Sequence, residues 1–228
     1  MNNIANQKIL VIAAHPDDEI LGCGGSLNKF SNNNCEIHVL FMTNGVSSRD
    51  IKNKKKLILL RRKAAIQCSK LIGTKENYFL DFPDNMLDSL PLLKIIKKIE
   101  LYIKKIQPDY IFTHSEYDLN LDHRLTYQAV LTASRPDIGK IISLISFEIP
   151  SSSDYSLNNK FKPNLFIDIS KFINNKLKCL NFYSKELRNF PHPRSLKNIE
   201  NLNYLRGSVV GVKSAEAFEI KKLIIWIY

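Results

Sequence analysis

The sequence predicts an α/β fold, a Rossmann-like and mostly parallel sheet with helices on both faces. Three observations carry this reading. Through the first 134 residues, short β-branched apolar runs alternate with longer segments of helical periodicity. The first run, Ile9-Leu10-Val11-Ile12-Ala13-Ala14, is continuously apolar, as a strand covered on both faces must be. It stops at His15-Pro16-Asp17-Asp18-Glu19, an imidazole and three carboxylates at the carboxyl end of a strand, where α/β folds gather ligands.

Taken in order, residues 8–14 form the first strand, 22–32 suit a helix and 36–43 a second strand. Residues 55–72 are helical and stop at Gly73, a residue suited to a helix C-terminus. Residues 78–80 read as a short strand. Residues 90–106 form an amphipathic helix that ends before Pro108. Leu92, Ile95, Ile96, Ile99, Ile103 and Ile106 lie on one side of it, with Lys94, Lys97, Lys98 and Lys105 on the other. A strand over 110–113 and a helix over 125–134 follow. The later chain is less regular: a strand over 141–149, a polar loop at Ser151-Ser152-Ser153-Asp154, a strand over 165–169 and a helix running through Tyr183. Phe190-Pro191-His192-Pro193-Arg194 must be a shaped loop because of its prolines. Two C-terminal helices are expected after it. No internal repeat or long linker interrupts residues 1–228, which are expected to form one domain.

Composition narrows the function classes. The hydrophobic fraction of 44% and charged fraction of 24% are those of a globular protein and exclude long disorder. No apolar run approaches the ~20 residues of a membrane span. The early run meets acids instead of the small neutral residues of a signal-peptide cleavage site, so a cytoplasmic protein is expected. Cys23, Cys35, Cys68 and Cys179 form no C-x-x-C pair, which points to reduced thiols. The net charge of +11 favours acidic partners such as nucleic acid, anionic lipid or a phosphorylated substrate. The densest run, Lys52-Asn53-Lys54-Lys55-Lys56, is either a solvated helix face or a contact with a ligand or membrane surface. No basic stripe interleaved with aromatics is present, so no nucleic-acid partner is expected. Gly24-Gly25 has neither Rossmann nor P-loop spacing.

Two stretches carry chemistry. Buried acids beside His15 are costly unless something positive neutralises them, and a divalent cation would do so. His and Asp together suit Zn²⁺. The alternative is a solvated turn with a fortuitous acidic cluster. The second stretch, Asp118-Leu119-Asn120-Leu121-Asp122-His123-Arg124, follows the strand over 110–113 and opens a helix. Parallel topology can bring its loop beside the first. His114 is a weaker candidate, and His38 reads as a packed strand residue.

These residues carry a family resemblance. Ala14-His15-Pro16-Asp17-Asp18-Glu19 followed by Gly22-Cys23-Gly24-Gly25 resembles the PIG-L/LmbE-like zinc-dependent N-deacetylases, and Asn120-Leu121-Asp122-His123-Arg124 resembles their second metal motif. The likeness extends through Arg61-Arg62, Leu71-Ile72-Gly73 and Phe82-Pro83-Asp84-Asn85. It continues through Phe190-Pro191-His192-Pro193-Arg194-Ser195, Arg206-Gly207 and Ala215-Glu216-Ala217-Phe218, found in a branch linked to surface-sugar biosynthesis. It thus covers nearly the whole chain as one PIG-L/LmbE-like deacetylase domain. The resemblance implies that His15, Asp18 and His123 bind zinc, with Fe²⁺ or another divalent metal able to use the same ligands. Three protein ligands leave a position for water. It further implies that Asp17 is the general base and can pass its proton to the leaving amine. Glu19 is read as an orienting or helix-start carboxylate in preference to a ligand.

Two positions depart from the family pattern. Asn120 stands where many relatives carry a histidine and cannot act as an acid. His192, held between two prolines, is expected to fill that role; the alternative is a packing or capping histidine. Ala64 stands where relatives often place Glu. Arg61, Arg62, Asp84, Asn120 and Arg194 are expected to bind substrate, with the guanidinium forks matched to phosphate, although each also has a structural reading. The expected activity is removal of an N-acetyl group from an amino sugar, nucleotide- or phosphate-linked, with release of acetate. Alternatives are an amidase for a larger acyl or thiol-conjugate amide, and a non-catalytic module for anionic ligands. The oligomeric state is left open, as is the packing of the C-terminal Ile224-Ile225-Trp226-Ile227-Tyr228.

Overall fold

A computed structural model describes residues 4–48, 52–136, 138, 140–157 and 160–224. All but Ile224 of the C-terminal apolar segment lies outside the described residues. The elements in order are β1 (Lys8–Ala13), α1 (Asp18–Asn32), β2 (Glu36–Thr43), α2 (Lys54–Ile72), β3 (Glu76–Phe82), α3 (Leu92–Ile106), β4 (Tyr110–His114), α4 (Leu121–Ala133), β5 (Ser143–Phe147), β6 (Leu165–Asp168), α5 (Ile173–Phe182), α6 (Leu196–Val209) and β7 (Ala215–Leu223).

These strands build one seven-stranded sheet in the order β3-β2-β1-β4-β5-β7-β6. The first five are parallel, and β7 runs antiparallel between β5 and β6. The expected mostly parallel α/β sheet is the observed one. Strand β1 shows why both faces are covered. Ile9, Val11 and Ala13 join a core with α1, α2 and α5, while Leu10 and Ile12 join a second core with α3 and α4. Every residue from Ile9 to Ala14 is fully buried, so alternation in the pleat replaces alternation in polarity.

The chain moves outward from β1 to β2 and β3, then returns to place β4 on the other side of β1. That reversal makes the gap between β1 and β4 the topological switch point, where the loops leaving the strands diverge and open a crevice. The loop after β1 holds His15 to Asp17, and α1 begins at Asp18; the loop after β4 leads to His123 in the first turn of α4. Two segments far apart in sequence are thereby placed side by side.

Boundaries move mainly at helix starts. Helix α1 begins at Asp18, four residues earlier than the periodicity indicates, and α4 begins at Leu121 because Asn120 caps it. The larger correction is at the C-terminus. Only the first of the two expected helices forms, as α6; the second segment is strand β7. Ala215, Ala217 and Phe218 are buried, and so are Glu216 and Glu219, whose charges are met by Lys176 and Lys221. Buried, paired glutamates make this strand look like a polar helix in sequence. The four cysteines are buried free thiols.

Candidate metal centre and active site

Three ligand atoms converge at the switch point. Nδ1 of His15 lies 3.1 Å from Oδ2 of Asp18 and 3.2 Å from Nε2 of His123, and His123 Nε2 lies 3.3 Å from the same Asp18 oxygen. Four ligands placed tetrahedrally at roughly 2.0–2.1 Å from a cation are separated by about 3.3 Å, so the triangle has the edge length of one divalent ion's coordination shell. All three residues are buried, and the second oxygen of Asp18 has no hydrogen-bond partner. A buried anion facing two imidazole nitrogens fits a shared cation. The residues therefore suit the metal that the sequence implies.

The outer atoms of the two imidazoles are held by carboxylates. His15 Nε2 faces Asp84 Oδ1 at 3.2 Å and Asp122 Oδ2 at 3.3 Å, while His123 Nδ1 faces Asp118 Oδ1 at 3.0 Å. Such partners fix ring orientation and raise ligand basicity. Asp122 is itself anchored, since it accepts the N–H groups of Asn85 and Leu87 at 2.7 and 3.1 Å. Asp118 accepts the hydroxyls of Ser152 and Ser153 and the Asn120 N–H. Two other acid–imidazole groups, His114/Asp118/His123 and His15/Asp84/Asp122, also lie close enough to hold an ion. Asp118 and Asp122 take backbone or hydroxyl donors on both oxygens, whereas Asp18 takes only the His15 backbone N–H, on Oδ2 at 2.9 Å, and keeps Oδ1 free of any donor, so His15, Asp18 and His123 form the better cage. His114 stacks on His123 with centroids 3.9 Å apart and accepts the Ala14 N–H at Nε2. Burial, followed by the field of His123, holds His114 well below the ordinary imidazole pKa, consistent with a neutral ring.

Electrostatics separate the two adjacent aspartates. Burial works to raise the pKa of Asp18, but His123, His15 and His114 outweigh it and hold the carboxylate ionised. For Asp17, burial prevails and the pKa is raised, with Arg61 and Arg194 pulling against it. One oxygen of Asp17 contacts both guanidinium groups, Arg61 at 3.0 Å and Arg194 at 3.1 Å; the other oxygen is buried without a partner. The Asp17 backbone has φ 130°, a region that side-chain-bearing residues rarely occupy. The Glu19 carboxylate accepts the Asp17 N–H at 2.9 Å and the Tyr183 hydroxyl at 2.7 Å, which holds this turn in place. Glu19 therefore sits as an orienting carboxylate, and burial pushes its pKa up to about 8.

The remaining candidates sort by what they touch. Arg61 is buried on Asp17, Glu186 and the Gly45 carbonyl. Gly45 has φ 69°, and a Cβ there would stand 2.1 Å from an Arg61 nitrogen. Arg194 donates to Ser151 Oγ at 2.8 Å as well as to Asp17. Both arginines thus grip the carboxylate, in place of the free phosphate-binding forks expected of them. Arg62 pairs with Asp81 and lies over Phe79, with no contact to the cluster. Asp84 is buried against His15 and Ser48, with its pKa drawn down to about 2: burial opposes the shift, but the His15 hydrogen bond and charge prevail. Asn120 caps α4, its Oδ1 accepting from the Asp122 and His123 N–H groups while its amide donates to Asn85. His192 accepts the Arg194 N–H at Nδ1, 3.0 Å away, so its link to the cluster runs through Arg194. Asp118, Asp122 and Glu186 were given no role by the sequence reading. For the first two, the signal was a carboxylate flanking the metal-motif histidine.

Comparison with known proteins gives the family and the fold. The chain is 26% identical over 191 residues to diacetylchitobiose deacetylase of Thermococcus kodakarensis, covering 79% of this chain and 70% of that protein. It is 32% identical over 149 residues to the uncharacterized deacetylase YaiS of Escherichia coli, covering 63% of this chain and 75% of that one. The structure superposes with a TM-score of 0.77 on N,N'-diacetylchitobiose deacetylase from Pyrococcus horikoshii, at 24% identity, over 94% of this chain and 83% of the other, which shows a shared fold. Residues 10–134, which carry most of β1, the switch-point crevice and the candidate ligands His15, Asp18 and His123, match the family model described as PIG-L, GlcNAc-PI de-N-acetylase; the chain belongs to that family of deacetylases.

Proposed function

We propose that residues 1–228 act as one divalent-metal-dependent hydrolase that removes an N-acetyl group from an amino sugar and releases acetate. The observation that carries this reading is the triangle of His15 Nδ1, Asp18 Oδ2 and His123 Nε2, with edges of 3.1, 3.2 and 3.3 Å, beside an aspartate with one unpartnered oxygen. Zn²⁺ is the favoured ion for this N₂O donor set, and Fe²⁺ is compatible with it. When bound, such an ion supplies Lewis acidity toward an amide carbonyl and lowers the pKa of water.

The chain's own residues supply the rest. Asp17 accepts the proton of the attacking water on its unpartnered oxygen, while Arg61 and Arg194 hold the other oxygen and fix the carboxylate plane. The arginines also oppose the rise in pKa that burial imposes on this carboxylate. Asp17 then passes the water's proton to the departing amine; the neutral His192 ring, with Nδ1 accepting the Arg194 N–H, offers its Nε2–H as a hydrogen-bond donor to the reacting substrate. Asn85 and Asn120, joined by a 3.0 Å hydrogen bond, offer amides to sugar hydroxyls.

The relatives named as diacetylchitobiose deacetylases support an N-acetylated sugar as substrate. The net charge of +11 favours a sugar that carries phosphate, on a cytoplasmic route to glycoconjugates. The test is acetate release from a panel of N-acetylated sugars, free and phosphate- or nucleotide-linked, before and after chelation and with metals restored. Release that stops with chelation and returns with Zn²⁺ or Fe²⁺ is expected. Turnover that is indifferent to chelation, or release only of larger acyl groups, would overturn the assignment.

A further inference from the structure

We propose that the outward face of α2 docks on an anionic lipid bilayer. Helix α2 contains five lysines, two arginines and no acidic residue. Its two arginines are used internally, Arg61 on Asp17 and Glu186, and Arg62 on Asp81. Lys54 donates to the Ser47 carbonyl. Lys55, Lys56, Lys63 and Lys70 have no acidic partner among the described residues. Lys54, Lys55 and Lys56 moreover occupy the first turn, where the helix dipole disfavours positive charge, and Asn53 supplies no side-chain cap. The fold gains nothing from cations in that position, whereas an external anionic surface would.

The apolar residues select the kind of surface. At 100° per residue, Ala65, Cys68 and Ile72 define the buried side of α2, and the opposite line carries Leu59 and Ile66. Leu59 is 64% exposed and Ile66 is 46% exposed, at the centre of the solvent side and bracketed by Lys55, Lys56, Lys63 and Lys70. Leu60 and Phe182 continue the patch over a cavity of about 260 Å³, rimmed by Lys63 and Lys185. Aliphatic side chains at the middle of a lysine-rich face match the interior and headgroups of an anionic leaflet. Nucleic acid would call for aromatic or amide side chains at that centre, where Leu59 and Ile66 stand; Phe182 and Gln67 lie only at its edge. Among the described residues no helix is long and apolar enough to span a membrane, so the contact would be peripheral. The inner side of the same helix carries Arg61 to Asp17, which places the docked surface next to the site. This inference stands apart from the hydrolytic reading, because its readout is binding alone.

The experiment is co-sedimentation of the full chain with vesicles of phosphatidylcholine mixed with phosphatidylglycerol, against phosphatidylcholine alone. Binding to the mixed vesicles is expected to exceed binding to the neutral ones by about tenfold or more and to fall with added salt. The double variant Leu59→Asp/Ile66→Asp and, separately, Lys63→Gln/Lys70→Gln are expected to lower it about tenfold each, with thermal melting unchanged because these side chains are exposed. Leu93→Asp/Leu101→Asp, on the exposed side of α3, is expected to leave binding intact. Equal binding to neutral and anionic vesicles would overturn the proposal. So would loss with the α3 variant instead of the α2 variants, or binding to duplex DNA matching that to vesicles and insensitive to Leu59→Asp/Ile66→Asp.

Discussion

Arg61 reaches from α2 to place its guanidinium 3.0 Å from one oxygen of Asp17, leaving the other oxygen of that buried carboxylate without a partner. Arg194 meets the same oxygen from the opposite end of the chain, at 3.1 Å. The pairing orients the acid and resists its protonation without occupying the atom that would take a proton. Asp17→Asn keeps the shape and removes the basicity. Acetate release is expected to fall by about 10²–10⁴-fold, with bound metal unchanged by elemental analysis. An active Asp17→Asn enzyme would remove Asp17 from the role of base.

Metal affinity should depend on a residue that touches no ligand atom. Asp118 holds the outer nitrogen of His123 at 3.0 Å and is itself held by Ser152 and Ser153. Asp118→Asn is expected to weaken metal binding by about 10–100-fold. Competition with a chromogenic chelator would measure this. His123→Ala should abolish stoichiometric metal altogether. Unchanged affinity in both variants would move the ion to the His15, Asp84 and Asp122 group.

How much of this was legible in the sequence follows from where the information is local. Strand β1 and the acids that end it are contiguous, so the strand, the loop and the candidate ligands could be read together. The second motif was readable because His123 lies in a helix start. What escaped was set by distant partners. Nothing near Arg61 or Arg194 indicates that both close on Asp17, and the two were expected to face substrate. Glu216 and Glu219 gave the last strand a helical appearance because Lys176 and Lys221, which neutralise them, lie on α5 and on β7 itself.

Asn120 shows how one side chain can have a local use that hides its neighbourhood. Its carbonyl caps α4 at 2.8 Å from the Asp122 N–H, and α4 carries His123. Asn120→Ala is expected to destabilise the protein by about 1 kcal/mol, and Asn120→Ser to restore most of that. Urea unfolding of the two variants measures the difference. Equal losses would show that the cap contributes nothing to stability.

A buried ion pair secures the helix that opens the site. Lys176 donates to Glu216 at 2.7 Å and to the Leu21 carbonyl at 2.9 Å, while Glu216 accepts the Gly25 and Ser26 N–H groups in the middle of α1. Removing one partner strands a buried charge. Lys176→Met is expected to cost about 3–5 kcal/mol. Adding Glu216→Gln, which keeps an acceptor for α1 but removes the stranded charge, should recover part of that loss. A double-mutant cycle by denaturant unfolding would detect the coupling; strict additivity would mean that the two residues act independently.

Far from the site, acid sensitivity should trace to Glu36. Its carboxylate accepts from Lys75 at 2.7 Å and faces His38 at 2.8 Å, and these contacts, Lys75 first, draw its pKa from 4.5 down to about 2. A depressed carboxylate stabilises the fold fully above its unfolded pKa, and that contribution disappears as pH falls through the folded one. Glu36→Gln is therefore expected to be less stable than the natural chain near neutral pH, by an amount limited by solvent at this half-exposed position. The gap should narrow between pH 4.5 and about 2, as the carboxylate protonates in both states. Denaturant unfolding of both proteins at several pH values tests this. A gap that stays constant across the window would mean that the Lys75 and His38 contacts do not stabilise the ionised form.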